Sequence, residues 1–185
     1  MTDNVLNDCG SKMDKAVESL AKELASVRAG RANPALLDKV QVDYYGVSTP
    51  LNQLANISAP EPRLLIVQPW DKTSMDAVEK AILKSDLGLT PNNDGNIIRI
   101  AIPQLTEERR KELVKMVKRM AEDCRVAVRN VRRDANDEIK SLEKSGDISQ
   151  DESRRLQDEV QELTNKSIDE IGEILQRKED EIMEV

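Results

Sequence analysis

Apolar residues recur along the first segment at helical spacing. Leu6, Met13, Val17, Leu20, Leu24 and Val27 stand 7, 4, 3, 4 and 3 positions apart, with polar residues between them. Such a heptad-like seam predicts an amphipathic helix from about Asn4 to Arg28. Asp3 or Asn4 can cap its start, Gly30 supplies a stop, and Pro34 follows.

The period then shortens. Val40, Val42 and Tyr44 alternate with Gln41 and Asp43 until Gly46 interrupts, which predicts a strand. Arg63 to Gln68, between Pro62 and Pro69, is a short apolar strand. Thr73 can cap a short helix to about Ser85, with Asp76 in its first turn, Met75, Val78 and Ile82 inward, and Gly88 at its close. Asn93-Asp94-Gly95 forms a turn into a strand from Asn96 to Ile102. After Pro103 the helical period returns. Thr106 can cap, Glu107 and Glu108 suit the helix dipole, and an apolar stripe runs from Leu113 through Val117, Met120, Cys124, Val128, Val131, Ala135 and Ile139 to Leu142. Ser145-Gly146-Asp147 makes a tight turn. Ser149 and Glu152 form a capping box for a third helix, whose stripe is Leu156, Val160, Leu163, Ile171, Ile174 and Ile182. The tail from Lys178 to Glu184 reads as a solvated helix end.

These elements predict an α+β fold: a long three-helix bundle with a small, mostly β, α/β domain inserted between the first helix and the second. The bundle takes residues 1–30 plus 104–185 and the insertion 31–103. Two chain crossings join them, at Gly30, Arg31 and Ala32 and at Ile102, Pro103 and Gln104. Neither has the apolar periodicity to carry a continuous helix across, so both are expected to act as hinges.

Composition narrows the chemistry. The 185 residues contain no His, which removes the commonest general base and metal ligand. No GxxxxGK[ST] or GxGxxG phosphate loop occurs. Cys9 and Cys124 are far apart and make no metal-spaced cluster; free, buried thiols are expected. No catalytic residue, metal site or cofactor is expected. No apolar run is long enough to span a bilayer, and residues 1–9 lack the blocks of a signal peptide, so the expectation is a soluble cytoplasmic protein without membrane partners.

The net charge of −7 hides a basic segment. Residues 105–146 carry 12 basic and 9 acidic side chains, whereas residues 147–185 carry 5 and 13. At 100° per residue, Lys111, Lys115, Lys118, Arg125, Arg129, Arg132 and Arg133 fall within an arc of about 100°, roughly 120° from the apolar stripe. Such a face can stay exposed while the other packs, and it suits a nucleic-acid backbone. A solvated charged face is the alternative, and Glu122 interrupts the arc. No aromatic interleaves with these residues, so base stacking is not available, and any RNA bound is expected to be folded RNA held by phosphate and shape; DNA is not expected as a partner. Arg28 and Arg31 at the first crossing either favour the helix C-terminus or extend the basic patch.

The motifs are specific. They include Arg28-Ala29-Gly30-Arg31-Ala32-Asn33-Pro34, Tyr44-Tyr45-Gly46, Thr49-Pro50-Leu51, Ser85-Asp86-Leu87-Gly88-Leu89, Leu105-Thr106-Glu107-Glu108-Arg109-Arg110-Lys111, and Arg129-Asn130-Val131-Arg132-Arg133-Asp134-Ala135. Over the whole chain the sequence resembles the bacterial ribosome recycling factor family. The resemblance implies an L-shaped monomer of tRNA-like size that binds the post-termination ribosome, chiefly through large-subunit ribosomal RNA. With elongation factor G and GTP, which the partner hydrolyses, it would split the subunits so that messenger and deacylated tRNA leave. It attaches importance to Arg132 and also to Arg28, Arg31 and Arg129. The rival reading is an RNA-binding helical bundle or coiled-coil adaptor without splitting activity.

Overall fold

A computed structural model describes residues 2–184 of the chain. It forms two compact units, Met1–Ala29 with Glu107–Val185, and Gly30–Thr106.

The first unit is a three-helix bundle of α1 (Thr2–Ser26), α3 (Glu107–Lys144) and α4 (Gln150–Met183), each helix packed on the other two. At 1.5 Å per residue, α3 is about 57 Å long. The core takes Met13, Leu20 and Leu24 from α1, Val117, Val128 and Ile139 from α3, and Leu156, Val160 and Ile171 from α4. Helix α1 already includes Thr2, so Asp3 and Asn4 sit inside its first turn instead of capping it. It ends at Ser26, two residues short of Arg28. Val5 and Cys9 bury fully where the seam expected Leu6, which is half-buried. Met120, Val131, Leu142, Leu163 and Ile174 lie at the margins of their stripes, half-buried. Ser149 Oγ accepts from the Glu152 N–H at 3.1 Å and caps α4. The end of α4 is less solvated than its charge implies. Lys178 is 8% exposed, its ammonium 3.4 Å from Glu181, and Ile182 is fully buried.

The second unit holds more strands than the sequence pattern predicts. β1 (Gln41–Tyr44) and β2 (Val47–Pro50) form an antiparallel hairpin. Its two-residue turn has φ of 50° at Tyr45 and 81° at Gly46, the backbone of a type I′ turn. β3 (Ala55–Glu61), β4 (Leu64–Pro69), β5 (Pro91–Asn93) and β6 (Ile98–Ala101) make an antiparallel sheet in the order β3-β4-β6-β5. Helix α2 (Met75–Lys84) covers the core, with Val78 and Ile82 among Leu65, Val67, Ile98 and Ile100. Thr73 does not cap it. A 3₁₀ turn, Lys72–Ser74, precedes α2, and Asp71 is its cap, accepting from the Thr73 N–H at 3.0 Å and the Thr73 hydroxyl at 2.7 Å. Tyr44 donates to the same carboxylate at 3.1 Å. Hydrogen bonds from the Thr73 side chain and backbone, with that from Tyr44, hold the Asp71 carboxyl below its usual range.

The crossings belong to this second unit. Gly30 and residues 104–106, expected with the bundle, sit with the insertion because local bonds tie them there. The Ala32 N–H donates to Pro62 O at 2.7 Å, and the Ile102 N–H donates to Arg63 O at 2.8 Å. Arg63 Nη1 donates to Gln104 Oε1 at 3.2 Å. Gly30 has φ of 75°, and a Cβ there would stand 2.9 Å from Leu105 Cγ.

Candidate nucleic-acid interface

The basic residues of α3 lie on one side of the helix because Lys111 to Arg132 are spaced by 3, 4 or 7, and Arg133 follows Arg129 by four. Its opposite side is fixed against α1 and α4 by Leu113, Val117, Ala121, Cys124 and Val128, all buried. Lys111, Lys115, Lys118 and Arg133 are exposed, and Arg125, Arg129 and Arg132 are half-buried. Half-burial of an arginine here means that its methylenes lie along the bundle while the guanidinium reaches water.

These cations differ in their partners. Lys111 pairs with Glu107 at 3.1 Å, one turn earlier. Arg125 and Arg129 both pair with Glu122, each at 3.3 Å. The interruption noted in the sequence is therefore a shared carboxylate that offsets two of the arginines. Lys118 reaches across to Glu179 of α4 at 3.9 Å. Arg132 also reaches α4, but there it meets an uncharged group: its Nη1 donates to Gln161 Oε1 at 3.3 Å. Gln161 in turn donates to Asn165 Oδ1 at 2.9 Å. Gln161 was not anticipated from the sequence. Arg110, one of the basic residues that opens α3, points away from this face, and its Nε is buried without a hydrogen bond.

Arg28 follows α1 in the bundle unit and Arg31 belongs to the inserted unit. Both are exposed and neither lies on α3. Of the hinge residues, Ala32 and Ile102 are half-buried, and Pro103 and Gln104 are exposed.

The thiols are not part of this face. Burial pushes the Cys9 and Cys124 thiols upward, away from the reactive thiolate. Cys124 donates its S–H to Ala16 O at 3.4 Å. Among the described residues, no cluster of three Cys, Asp or Glu side chains could hold a metal, and no helix is long and apolar enough to cross a membrane.

The strip of cations is about 35 Å long and free of stacking rings, an arrangement whose charge and spacing suit phosphate groups. The family model for ribosome recycling factor matches residues 20–183. This chain belongs to the ribosome recycling factor family. A ribosome-recycling factor of Natranaerobius thermophilus is 66% identical over 164 residues, 89% of each chain. The solution structure of a ribosome recycling factor is 42% identical, covers 100% of this chain and 98% of that one, and superposes with a TM-score of 0.75. A second solved structure contains the T. thermophilus ribosome recycling factor and E. coli elongation factor G bound to the E. coli post-termination complex. It includes a chain 47% identical over 99% of both, with a TM-score of 0.64. The α+β architecture of a helical bundle with a small antiparallel sheet unit is thus the fold of this family.

Proposed function

We propose that this family member acts in the cytoplasm on the post-termination ribosome. With elongation factor G it separates the subunits, and messenger and deacylated tRNA leave. The basic face of α3, centred on Arg125, Arg129 and Arg132 and extended by Lys111, Lys115, Lys118 and Arg133, lies on folded large-subunit ribosomal RNA. Arg28 and Arg31 add to it. The observation that carries this reading is the exposure of cations along one face of α3 in a chain whose net charge is −7. A charge pattern that defies the average of the molecule, on a face free of stacking rings, fits phosphate and shape recognition.

The chain itself is not an enzyme and needs no cofactor in this reading; GTP is hydrolysed by the elongation factor. The crossings at residues 30–32 and 102–104 supply the joint through which the partner moves the inserted unit while the bundle stays on RNA. The test is subunit splitting of post-termination ribosomes, followed by light scattering, with purified protein, elongation factor G and GTP. Splitting is expected only with all components present. Arg132→Ala is expected to weaken large-subunit binding by about 1–3 kcal/mol while the melting temperature stays put. Splitting at the normal rate without elongation factor G, or normal binding by Arg132→Ala, would refute the respective part.

A further inference from the structure

Helix α4 carries more acid than either other helix of the bundle, yet its flank beside the basic face carries none along most of its length. Two cross-helix contacts fix which flank that is: Arg132 with Gln161, and Lys118 with Glu179. On the α4 wheel, with Gln157 at 0°, Gln161, Asn165, Ile168, Gly172 and Leu175 fall between about 0° and 80°. Every acid of residues 151–173 falls between about 100° and 220°, turned away from that flank. The neighbours of the basic face on α4 are thus amides, small residues and aliphatic residues until Glu179.

The amides are ordered. Gln157 donates to Ser153 Oγ at 3.1 Å, and Gln161 donates to Asn165 Oδ1 at 2.9 Å. Donation through Nε2 sets the Gln161 amide so that Oε1 turns to Arg132, which donates to it at 3.3 Å. A carboxylate at that position would hold the guanidinium equally well but would offset its charge, as Glu122 does for Arg125 and Arg129. An amide oxygen takes one N–H and leaves the net charge intact. The remaining N–H groups form a planar fork that matches two phosphate oxygens.

We infer that Gln161, held by Asn165, is a positioning residue for Arg132: it fixes the guanidinium plane without neutralising it, so that a phosphate on the α3 face meets a pre-oriented, undiminished charge. This rests on the reading of that face as the RNA-binding surface. The relevant partner is the phosphate backbone of folded RNA, and Gln161 itself need not touch it.

The experiment uses the full chain and purified large ribosomal subunits, with affinity measured over a series of KCl concentrations. Four variants are compared: Arg132→Ala, Gln161→Glu, Gln161→Met, and Arg132→Ala with Gln161→Met. Gln161→Glu is expected to weaken binding about ten-fold and to flatten the dependence of log K on log salt, because one cation is now paired internally. Gln161→Met keeps the length but lacks the acceptor. It is expected to weaken binding only about two- to three-fold with the salt slope unchanged, and to have no effect in the Arg132→Ala background. Circular dichroism melting curves of Gln161→Glu and Gln161→Met should coincide with that of the wild type, as Gln161 is exposed. Wild-type affinity of Gln161→Glu, or an equal cost of Gln161→Met with and without Arg132, would overturn the assignment. If Arg132→Ala alone binds normally, the RNA face fails instead, and the positioning role falls with it.

Discussion

If the α3 face receives phosphate as proposed, Glu122 competes for its arginines, and removing its charge should strengthen binding. The substitution is Glu122→Gln. In the free protein Glu122 engages Arg125 and Arg129 at 3.3 Å each, and about half of its side chain is exposed. A phosphate bound to either arginine must share or displace these contacts. Exposed pairs of this kind contribute about 0.3–0.5 kcal/mol each, so releasing both returns somewhat under 1 kcal/mol. A phosphate on the same guanidinium would lie about 7 Å from the carboxylate. Repulsion there is about 0.6 kcal/mol in water before screening and about half that at physiological salt. The sum is about 1 kcal/mol, or about five-fold tighter binding to large subunits. The assay is the affinity for purified large subunits at two salt concentrations, with thermal unfolding in parallel. Stability should fall by less than about 1 kcal/mol, the worth of the lost pairs. The tightening should shrink at high salt. An unchanged or weaker affinity at low salt would refute the reasoning. It would mean either that Arg125 and Arg129 do not face phosphate or that Glu122 holds them in the orientation RNA requires.

Three further outcomes can be checked. Gly30→Ala should destabilise the inserted unit by about 2–3 kcal/mol, from the left-handed backbone and the 2.9 Å approach to Leu105; in a Leu105→Ala background, urea titrations should recover only the steric share of that cost. Because the Asp71 carboxyl is held below its usual range, its contribution is complete above the unfolded value near pH ~4 and lost as pH falls through the lower folded value; acid unfolding curves of Asp71→Asn should therefore show a smaller loss in that window. Cys9 and Cys124 should react slowly with a thiol reagent at neutral pH and at ordinary rates in denaturant, since burial disfavours both thiolates.

The bundle was legible because helical period, turn and cap agree in the sequence. Ser149 with Glu152, and the 3-and-4 spacing from Leu113 to Ile139, admit one reading. The inserted unit was harder. β3 is an edge strand with Pro60 in it and most of its residues exposed, so neither alternation nor apolar content marks it. β2 could have been found, since Tyr45-Gly46 is a two-residue turn followed by Val47-Ser48-Thr49; reading Gly46 as a break missed that a positive-φ pair turns the strand back. Asp71 outcompeted Thr73 as a cap because it reaches both the Thr73 N–H and its hydroxyl. At the candidate site, the arc on α3 follows from residue spacing alone. Gln161 does not, because its role depends on how α4 is rotated and slid against α3. The cross-helix contacts of Arg132 with Gln161 and of Lys118 with Glu179 reveal that register.

The separation of charge on the bundle also bears on how fast a productive complex forms. Bases gather on one face of α3, and the acids of residues 151–173 turn away from it, so the charge is separated into an electric dipole across the width of the unit. A polyanion repels the molecule at long range through its net charge and torques it at short range through that dipole. Encounters with the acidic side foremost are rejected, while those with the basic face foremost are captured. Such a field filters orientation before any specific contact is made, raising the fraction of collisions that succeed. Reversing a few acids on the outer side of α4 to lysine would make the protein stickier toward RNA overall. It would also slow correct docking, because more of its surface could then adhere in unproductive poses.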